Sequence, residues 1–260
     1  MGKTNIISVI NQKGGVGKTT TSINLASYLA KAGKKVLLID SDPQSNTTSG
    51  LGIERSVISS TLCDVLVSGV GLSKTILKTI EKNLDLVPAD PRLASAEVDI
   101  VNHQDRELIL KQKLEELSAL YDIVIIDCPP ALSLLTINAL VASDKVLIPV
   151  QAEYYALEGL SQLLQVMQTV QKQFNSGLEI LGVVVTMYDK RNALSGQVYE
   201  EVSKHFGDKL MNTIIPRNVR LAEAPSYGKP INEYDSWSKG AKAYKNLAKE
   251  VLEKLGGSTK

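Results

Sequence analysis

The sequence predicts an α/β fold in three layers, a mostly parallel sheet with helices on both faces. Three observations predict it. Short β-branched runs recur along the chain, and most are apolar without alternation, as strands buried on both faces require. Longer segments of helical period separate them, and this alternation implies parallel pairing through right-handed crossovers. Finally, the conspicuous polar motifs follow strands, on the carboxyl-end edge where such sheets bind ligands.

The first strand is "NIISVI" (5–10), followed by "NQKGGVGKTT" (11–20) and a helix over 18–32. Gly14, Gly15 and Gly17 let the backbone approach an anion closely, and their N–H groups can form a nest around phosphate oxygens. A helix opening at Lys18 adds the positive end of its dipole. In the pattern G-x-x-x-x-G-K-[ST], the lysine (Lys18) reaches the outer phosphates and the hydroxyl (Thr19) ligates Mg²⁺. Gln12 stands where the pattern's first glycine belongs, and Lys13 adds a second lysine. A glycine-rich turn that binds nothing is the bland alternative. The β-branched strand before the loop and the helix opened by G-K-T-T argue against it, and the fold class sharpens to a three-layer P-loop NTPase fold.

The second strand, "KVLLID" (35–40), runs into "DSDPQSN" (40–46). Pro43 stiffens the turn after Asp42. Asp42 either orients or deprotonates an attacking water, with Asp40 supporting a Mg²⁺ shell, or forms an Asx turn leaving the strand. Next come a strand at 84–89, a helix over 105–120 and "YDIVIID" (121–127). Asp127 ends that strand, placed to hold Mg²⁺ through water or to cap the following loop. Strands at 145–150 and 179–186 alternate with helices over 153–174 and 195–206; "MNTIIP" (211–216) reads as a last edge strand and 238–255 as a closing helix. No repeat, low-complexity segment or linker interrupts the series, so one domain over 1–260 is expected.

A net charge of +1 excludes a general attraction to polyanions, so any nucleic-acid surface must be a local patch. Cys63 and Cys128 are too few for a disulfide framework or a four-thiolate metal site, and read as buried apolar residues in a reducing compartment. No apolar run approaches the ~20 residues that span a bilayer. Lys13 and Lys18 arrive too soon for a signal peptide's apolar core, so a cytoplasmic location is expected.

Five stretches, "KGGVGKTT", "VLLIDSDPQSN", "IIDCPP", "IPVQAEYYALEGL" and "IPRNVRLAEAPSYGKPI", together resemble the ParA/Soj family of DNA-partition ATPases. This family sits within the deviant Walker A, or MinD-like, group of P-loop proteins. The resemblance runs from about residue 4 to 255, and the 214–231 segment narrows it to ParA/Soj. It implies a Mg²⁺-dependent ATP hydrolase that forms a nucleotide-sandwich homodimer. The ATP-binding loop would span Lys13, Gly14, Gly15, Val16, Gly17, Lys18, Thr19 and Thr20. By the same resemblance Lys13 crosses to the partner's phosphates, as an arginine finger does, and the missing glycine is a family trait. Gly14 becomes a dimer-contact glycine, and Asp42 the residue needed for hydrolysis. Pro216 and Asn218 lie beside the adenine with Met187 closing the pocket, and Asp127 belongs to the second switch. The alternative for Lys13 is an ordinary exposed lysine.

The resemblance also implies a non-specific double-stranded DNA surface, nucleoid association, and a ParB-type partner whose basic peptide stimulates hydrolysis. Residues 186–260 carry 13 Lys and Arg against nine Asp and Glu. Arg191 and Arg220 match DNA-contact positions of Soj-like proteins; Arg217, Lys242 and Lys245 join them as candidate phosphate contacts, the lysines on one face of the closing helix. A solvated lysine face is the bland reading. The loop starts 13 residues into the chain, so the short form without a helix-turn-helix extension is expected. A MinD-like membrane ATPase would end in an amphipathic helix with large apolar residues for lipid, whereas 238–255 offers Ala, Leu and Val to a core and "GGSTK" follows. An iron–sulfur reductase would need two suitably spaced cysteines, and Cys128 in "DCPP" is misplaced for that. A metabolic ligase using the same loop is the remaining enzyme alternative, against which the 214–231 segment argues.

Overall fold

Seven strands form one sheet: β1 Asn5–Val9, β2 Val36–Asp40, β3 Leu77–Lys78, β4 Leu84–Val87, β5 Ile123–Asp127, β6 Lys145–Gln151 and β7 Glu179–Thr186, in the order β3-β4-β2-β5-β1-β6-β7. The computed structural model describes residues 3–117, 119–153 and 158–256. Every neighbouring pair is parallel except β3 with β4. The helices are α1 Lys18–Lys31, α2 Asn46–Gly50, α3 Leu62–Val67, α4 Leu93–Ile100, α5 Ile109–Glu115, α6 Leu134–Ala142, α7 Glu158–Gln173, α8 Ala193–Phe206, α9 Val219–Glu223, α10 Ile231–Tyr234 and α11 Lys239–Lys254.

The lack of alternation in the strands has its cause in two cores. Leu37 and Ile39 of β2 point into one, with Val124, Ile126, Leu140, Leu163 and Val198. Val36 and Leu38 point into the other, with Ile23, Leu29, Tyr244, Leu247 and Val251 from α1 and α11. Successive side chains leave a strand on opposite faces, so a sheet covered twice needs apolar residues at every position. Every residue of β2 and β5 is buried.

Two expectations are corrected. Residues 211–216 do not form a strand, although they run beside β7 through isolated bridges Val183–Leu210 and Tyr188–Pro216. Met211 and Ile215 N–H still donate to the Val183 and Val185 carbonyls of β7, but between them Asn212 and Thr213 N–H turn to the Glu250 carboxylate on α11 at 2.7 and 3.0 Å, which breaks the ladder. Helix 105–120 shrinks to α5, because Asp105 and Ala119 adopt positive φ of 62° and 71°. The closing helix and α8 match their predicted spans within about two residues, the usual scatter of helix ends. The predicted start of the 153–174 helix, and part of "IPVQAEYYALEGL", fall on 154–157, outside the described residues. Among the described residues no helix is long and apolar enough to cross a membrane.

Candidate nucleotide site

Residues 10–17 join the end of β1 to α1 at the carboxyl edge of the sheet. Gly15 and Gly17 have φ of +75° and +87°, which glycine adopts without steric cost. Gly14 lies outside that region, and a Cβ added there would meet nothing within 4 Å. The protomer's backbone thus requires two of the glycines but not the third. Asn11 braces the loop, its Nδ2 donating to the Pro149 carbonyl at 2.7 Å while its Oδ1 accepts the Lys13 N–H at 3.0 Å. From β7, Thr186 Oγ1 donates to the Val16 carbonyl at 2.8 Å.

The two lysines occupy different surroundings. Lys18 is buried, and its ammonium donates to the Lys13 carbonyl at 3.0 Å, folding back over its own loop. Burial lowers its pKa, while Asp127, Cys128 and Asp42 oppose that shift. The Lys13 ammonium instead lies 3.5 Å from Glu153 Oε2 with its side chain 37% exposed. Glu153 also sits 3.9 Å from the Arg217 guanidinium.

Asp40 and Asp127 are register partners at the ends of β2 and β5. Both are fully buried. Asp127 accepts three hydroxyl bonds: Oδ2 from Thr19 at 2.9 Å and Thr47 at 2.6 Å, and Oδ1 from Ser22 at 2.8 Å. Burial pushes its pKa up and the hydroxyls oppose this. The Asp40 carboxylate holds the following loop, with Oδ2 accepting Thr48 N–H and Oγ1 at 2.8 and 2.7 Å, and Oδ1 accepting Asp42 N–H at 3.2 Å. Burial, then the neighbouring Asp127, raises the Asp40 pKa to about 7. Asp42 is 7% exposed, and its Oδ1 accepts Gln44 N–H at 2.9 Å, so the Asx turn exists and holds the carboxylate in place.

Two adjacent buried acids favour a cation, and the donor set fits Mg²⁺. Among the described residues no group of three or more His, Cys, Asp or Glu could cage a metal. Mg²⁺ does not require one, since it usually keeps waters and takes one or two protein ligands with phosphate oxygens. The Thr19 hydroxyl beside the Asp127 carboxylate is such a set.

Next to the loop lies a cleft of about 220 Å³ lined by Gly17, Thr20, Thr186, Met187, Ile215, Pro216, Arg217, Asn218, Leu221, Ala222 and Tyr244. Met187 has φ 52°, an uncommon conformation for a residue with a side chain, which sets it at the cleft mouth between β7 and Ile215. Asn218 caps α9, its side chain accepting Leu221 N–H. A cleft of about 360 Å³ opens between Gln44–Thr61 and Ala89–Arg92, but it excludes the loop's glycines and lysines. Continuity with Gly17 and Thr20, not size, makes the smaller cleft the candidate base pocket.

Arg191 is 90% exposed and held by Asp189, whose carboxyl it lowers to about 2, with Arg217 adding a weaker pull. Arg217 and Arg220 are 65% and 54% exposed at the start of α9. Lys242 and Lys245 are exposed on α11, opposite its buried Ala241, Tyr244, Leu247 and Ala248. Of the three arginines only Arg217 lines the cleft, while the lysines lie on the exposed side of α11. Sequence reasoning missed Ser22, Thr47, Thr48 and Tyr244. For the first three the signal was a hydroxyl-rich context, "KTTTS" and "SNTTSG", beside acids at strand ends.

A family model described as an AAA domain matches residues 4–180. The sporulation initiation inhibitor protein Soj of Bacillus subtilis is 57% identical over 251 residues, covering 96% of this chain and 98% of that protein. The chromosome-partitioning ATPase Soj of Treponema pallidum is 50% identical, covering 98% of this chain and 99% of its own. Among solved structures, cobyrinic acid a,c-diamide synthase from Mycobacterium smegmatis with a bound ATP analog and magnesium superposes with a TM-score of 0.85 at 35% identity, over 97% of this chain and 96% of that one.

Proposed function

The chain belongs to the Soj/ParA family of chromosome-partitioning ATPases, and from that premise we propose that it hydrolyses ATP to time its hold on DNA. The observation that carries the reading is the pairing of Thr19 with Asp127 at 2.9 Å beside a loop that buries Lys18. The loop N–H groups and Lys18 bind the phosphates, and the cleft between Met187, Pro216 and Asn218 takes the adenine. Thr19 and Asp127 hold Mg²⁺, with Asp40 anchoring the loop behind them. Bound Mg²⁺ supplies neutralising charge on the phosphate oxygens. Asp42, fixed by its turn, positions the attacking water.

Lys13 completes the site of a second copy. Its ammonium is not engaged with its own loop's oxygens but rests on Glu153 at the surface. A second cation beside Lys18 would be repelled unless another anion were near. Crossing to the partner's phosphates supplies that anion, so dimerisation and hydrolysis share one residue. Arg191, Arg217 and Arg220, with Lys242 and Lys245, contact duplex phosphates without base reading, which places the protein on the nucleoid within the cytoplasm. A dimer presents two such surfaces where a protomer presents one, so ATP controls avidity without altering any single contact. A ParB-type partner stimulates hydrolysis and release.

The likeness to cobyrinic acid a,c-diamide synthase favours one competing reading, a ligase acting on a small acid. The 57% and 50% identity to Soj proteins over nearly the whole chain outweighs it. The deciding experiment is the ATPase rate measured alone, with duplex DNA, and with a ParB-type partner plus DNA. Stimulation by DNA and partner is expected. A rate that ignores both and rises with a small carboxylic acid would overturn the proposal.

A further inference from the structure

Trp237 is the chain's single tryptophan, and it is 84% exposed at the threshold of α11. Tyr227, 64% exposed, stacks on Tyr234 with ring centroids 4.9 Å apart. Two carboxylates tie the segments that carry these rings to Arg220. Asp235 Oδ2 lies 3.5 Å from Arg220 Nε, while its Oδ1 accepts the backbone N–H of Trp237 at 3.2 Å. Glu223 Oε2 accepts from Arg220 Nη1 at 2.9 Å and from the Tyr234 hydroxyl at 3.0 Å. Val219, immediately before Arg220, is 70% exposed.

The platform beneath these residues is rigid. Gly240, in the first turn of α11, lies so close to α9 that an added Cβ would come within 2.6 Å of Leu221 Cγ. The guanidinium is aimed by two carboxylates and still 54% exposed. Single apolar residues at a surface need no explanation, but an exposed Trp, Tyr and Val on segments tied to one arginine mark out a patch. Lys239 and Lys242 follow Trp237 on the exposed side of α11 and Lys229 follows Tyr227, so cations border the patch.

We propose that Trp237 and Tyr227 are the apolar half of the duplex-DNA contact that Arg220 serves. The inference rests on the DNA reading above and extends it. Between its phosphates a duplex presents apolar sugar edges. A ring on a segment tied to an arginine can meet those edges while the arginine and the bordering lysines meet phosphate. Such a contact carries no sequence information, as non-specific binding requires. It adds a component that salt does not weaken, because no counterion is released when a ring meets a sugar. Cations bordering the rings favour a polyanion over a protein partner as the occupant.

The test uses Trp237 as its own probe. Random-sequence duplex is titrated into the full-length protein with ATP and Mg²⁺ while tryptophan emission is followed. Saturable quenching or a spectral shift is expected. Trp237→Ala should weaken binding about five- to tenfold, in the range of aromatic contacts to nucleic acid, and leave the salt dependence parallel to wild type. Arg220→Glu should instead flatten that dependence by about one unit of log–log slope. The exposed Trp237→Ala variant should melt and dimerise as wild type does. Unmoved emission at saturating DNA, with wild-type affinity in Trp237→Ala while Arg191→Glu still weakens binding, would overturn this inference alone and assign the ring to a protein partner. A wild-type protein that does not bind duplex would sink the DNA reading together with it.

Discussion

Gly14→Val separates what the protomer needs from what the assembly needs. In the protomer, a Cβ at position 14 touches nothing within 4 Å, and the backbone there lies outside the left-handed region. The folded protomer should therefore change by no more than about 0.5–1 kcal/mol, the range of a loop Gly replacement at a compatible conformation. If position 14 faces its own copy across a two-fold axis, the added methyls are met twice. Overpacking costs about 1–3 kcal/mol per site, so the pair costs about 2–6 kcal/mol. The ATP-dependent dimer should weaken by about 30-fold to more than 10⁴-fold. Sedimentation velocity with ATP and Mg²⁺ reads the dimer, and binding of a fluorescent ATP analogue reads the protomer. A variant that dimerises like wild type would refute the sandwich arrangement. One that melts early or loses nucleotide as a monomer would refute the claim that the loop leaves room at this position.

Four further outcomes are expected. Lys13→Ala should keep nucleotide binding by the monomer and reduce dimerisation and hydrolysis together; loss of monomer binding would make the lysine a local ligand. Asp42→Ala should bind ATP, stall before hydrolysis and accumulate as a dimer in sedimentation runs, and continued turnover would remove Asp42 from the chemistry. Arg191→Glu should weaken binding to duplexes of any sequence and flatten its salt dependence by about one log–log unit, while ATP-driven dimerisation persists. The metal-free protein should lose stability as pH rises between the ordinary Asp value of 3.8 and about 7, because folded Asp40 keeps a proton that the unfolded chain has already released. The slope from one group is at most about 1.4 kcal/mol per pH unit. Urea titrations in a chelator across pH 5–8 measure it, and an Asp40→Asn protein with the same slope would rule Asp40 out as the source.

The sheet was legible because its strands are short, apolar and covered twice, so periodicity and composition agreed. β3 was not, since two residues paired at an edge leave no pattern. The 211–216 segment has the residues of a strand and pairs with β7 through Met211 and Ile215, but the Glu250 carboxylate, 37 or 38 positions away, diverts the N–H groups of Thr213 and Asn212 between them. Glycines, lysines and acids could be assigned to one edge because each directly follows a strand. The hydroxyl donors could not, because Thr47 and Asp127 are 80 positions apart and meet only through the adjacency of β2 and β5. Pro216 and Asn218 were reached by family resemblance and do line the cleft, whereas Tyr244, on the buried side of a lysine-rich helix, carried no signal that set it apart.

Tyr244 carries a consequence for synthesis. Its ring lines the base cleft, and its hydroxyl lies 3.1 Å from Thr21 Oγ1 on α1. The helix that opens the nucleotide loop thus packs on the sheet on one side and takes its outer neighbour from α11, where Tyr244 lies 223 positions after Thr21. Chain emerging from a ribosome at about 5–20 residues per second exposes the glycine loop early and gains Tyr244 only some ten seconds or more later. Until then Ile23 and Leu29 lack the Leu247 and Val251 that share their core. A growing or truncated chain therefore offers phosphate donors without a closed base site, and ATP selects against it. Nucleotide affinity should in this sense report on long-range folding, rising once α1 and α11 have met.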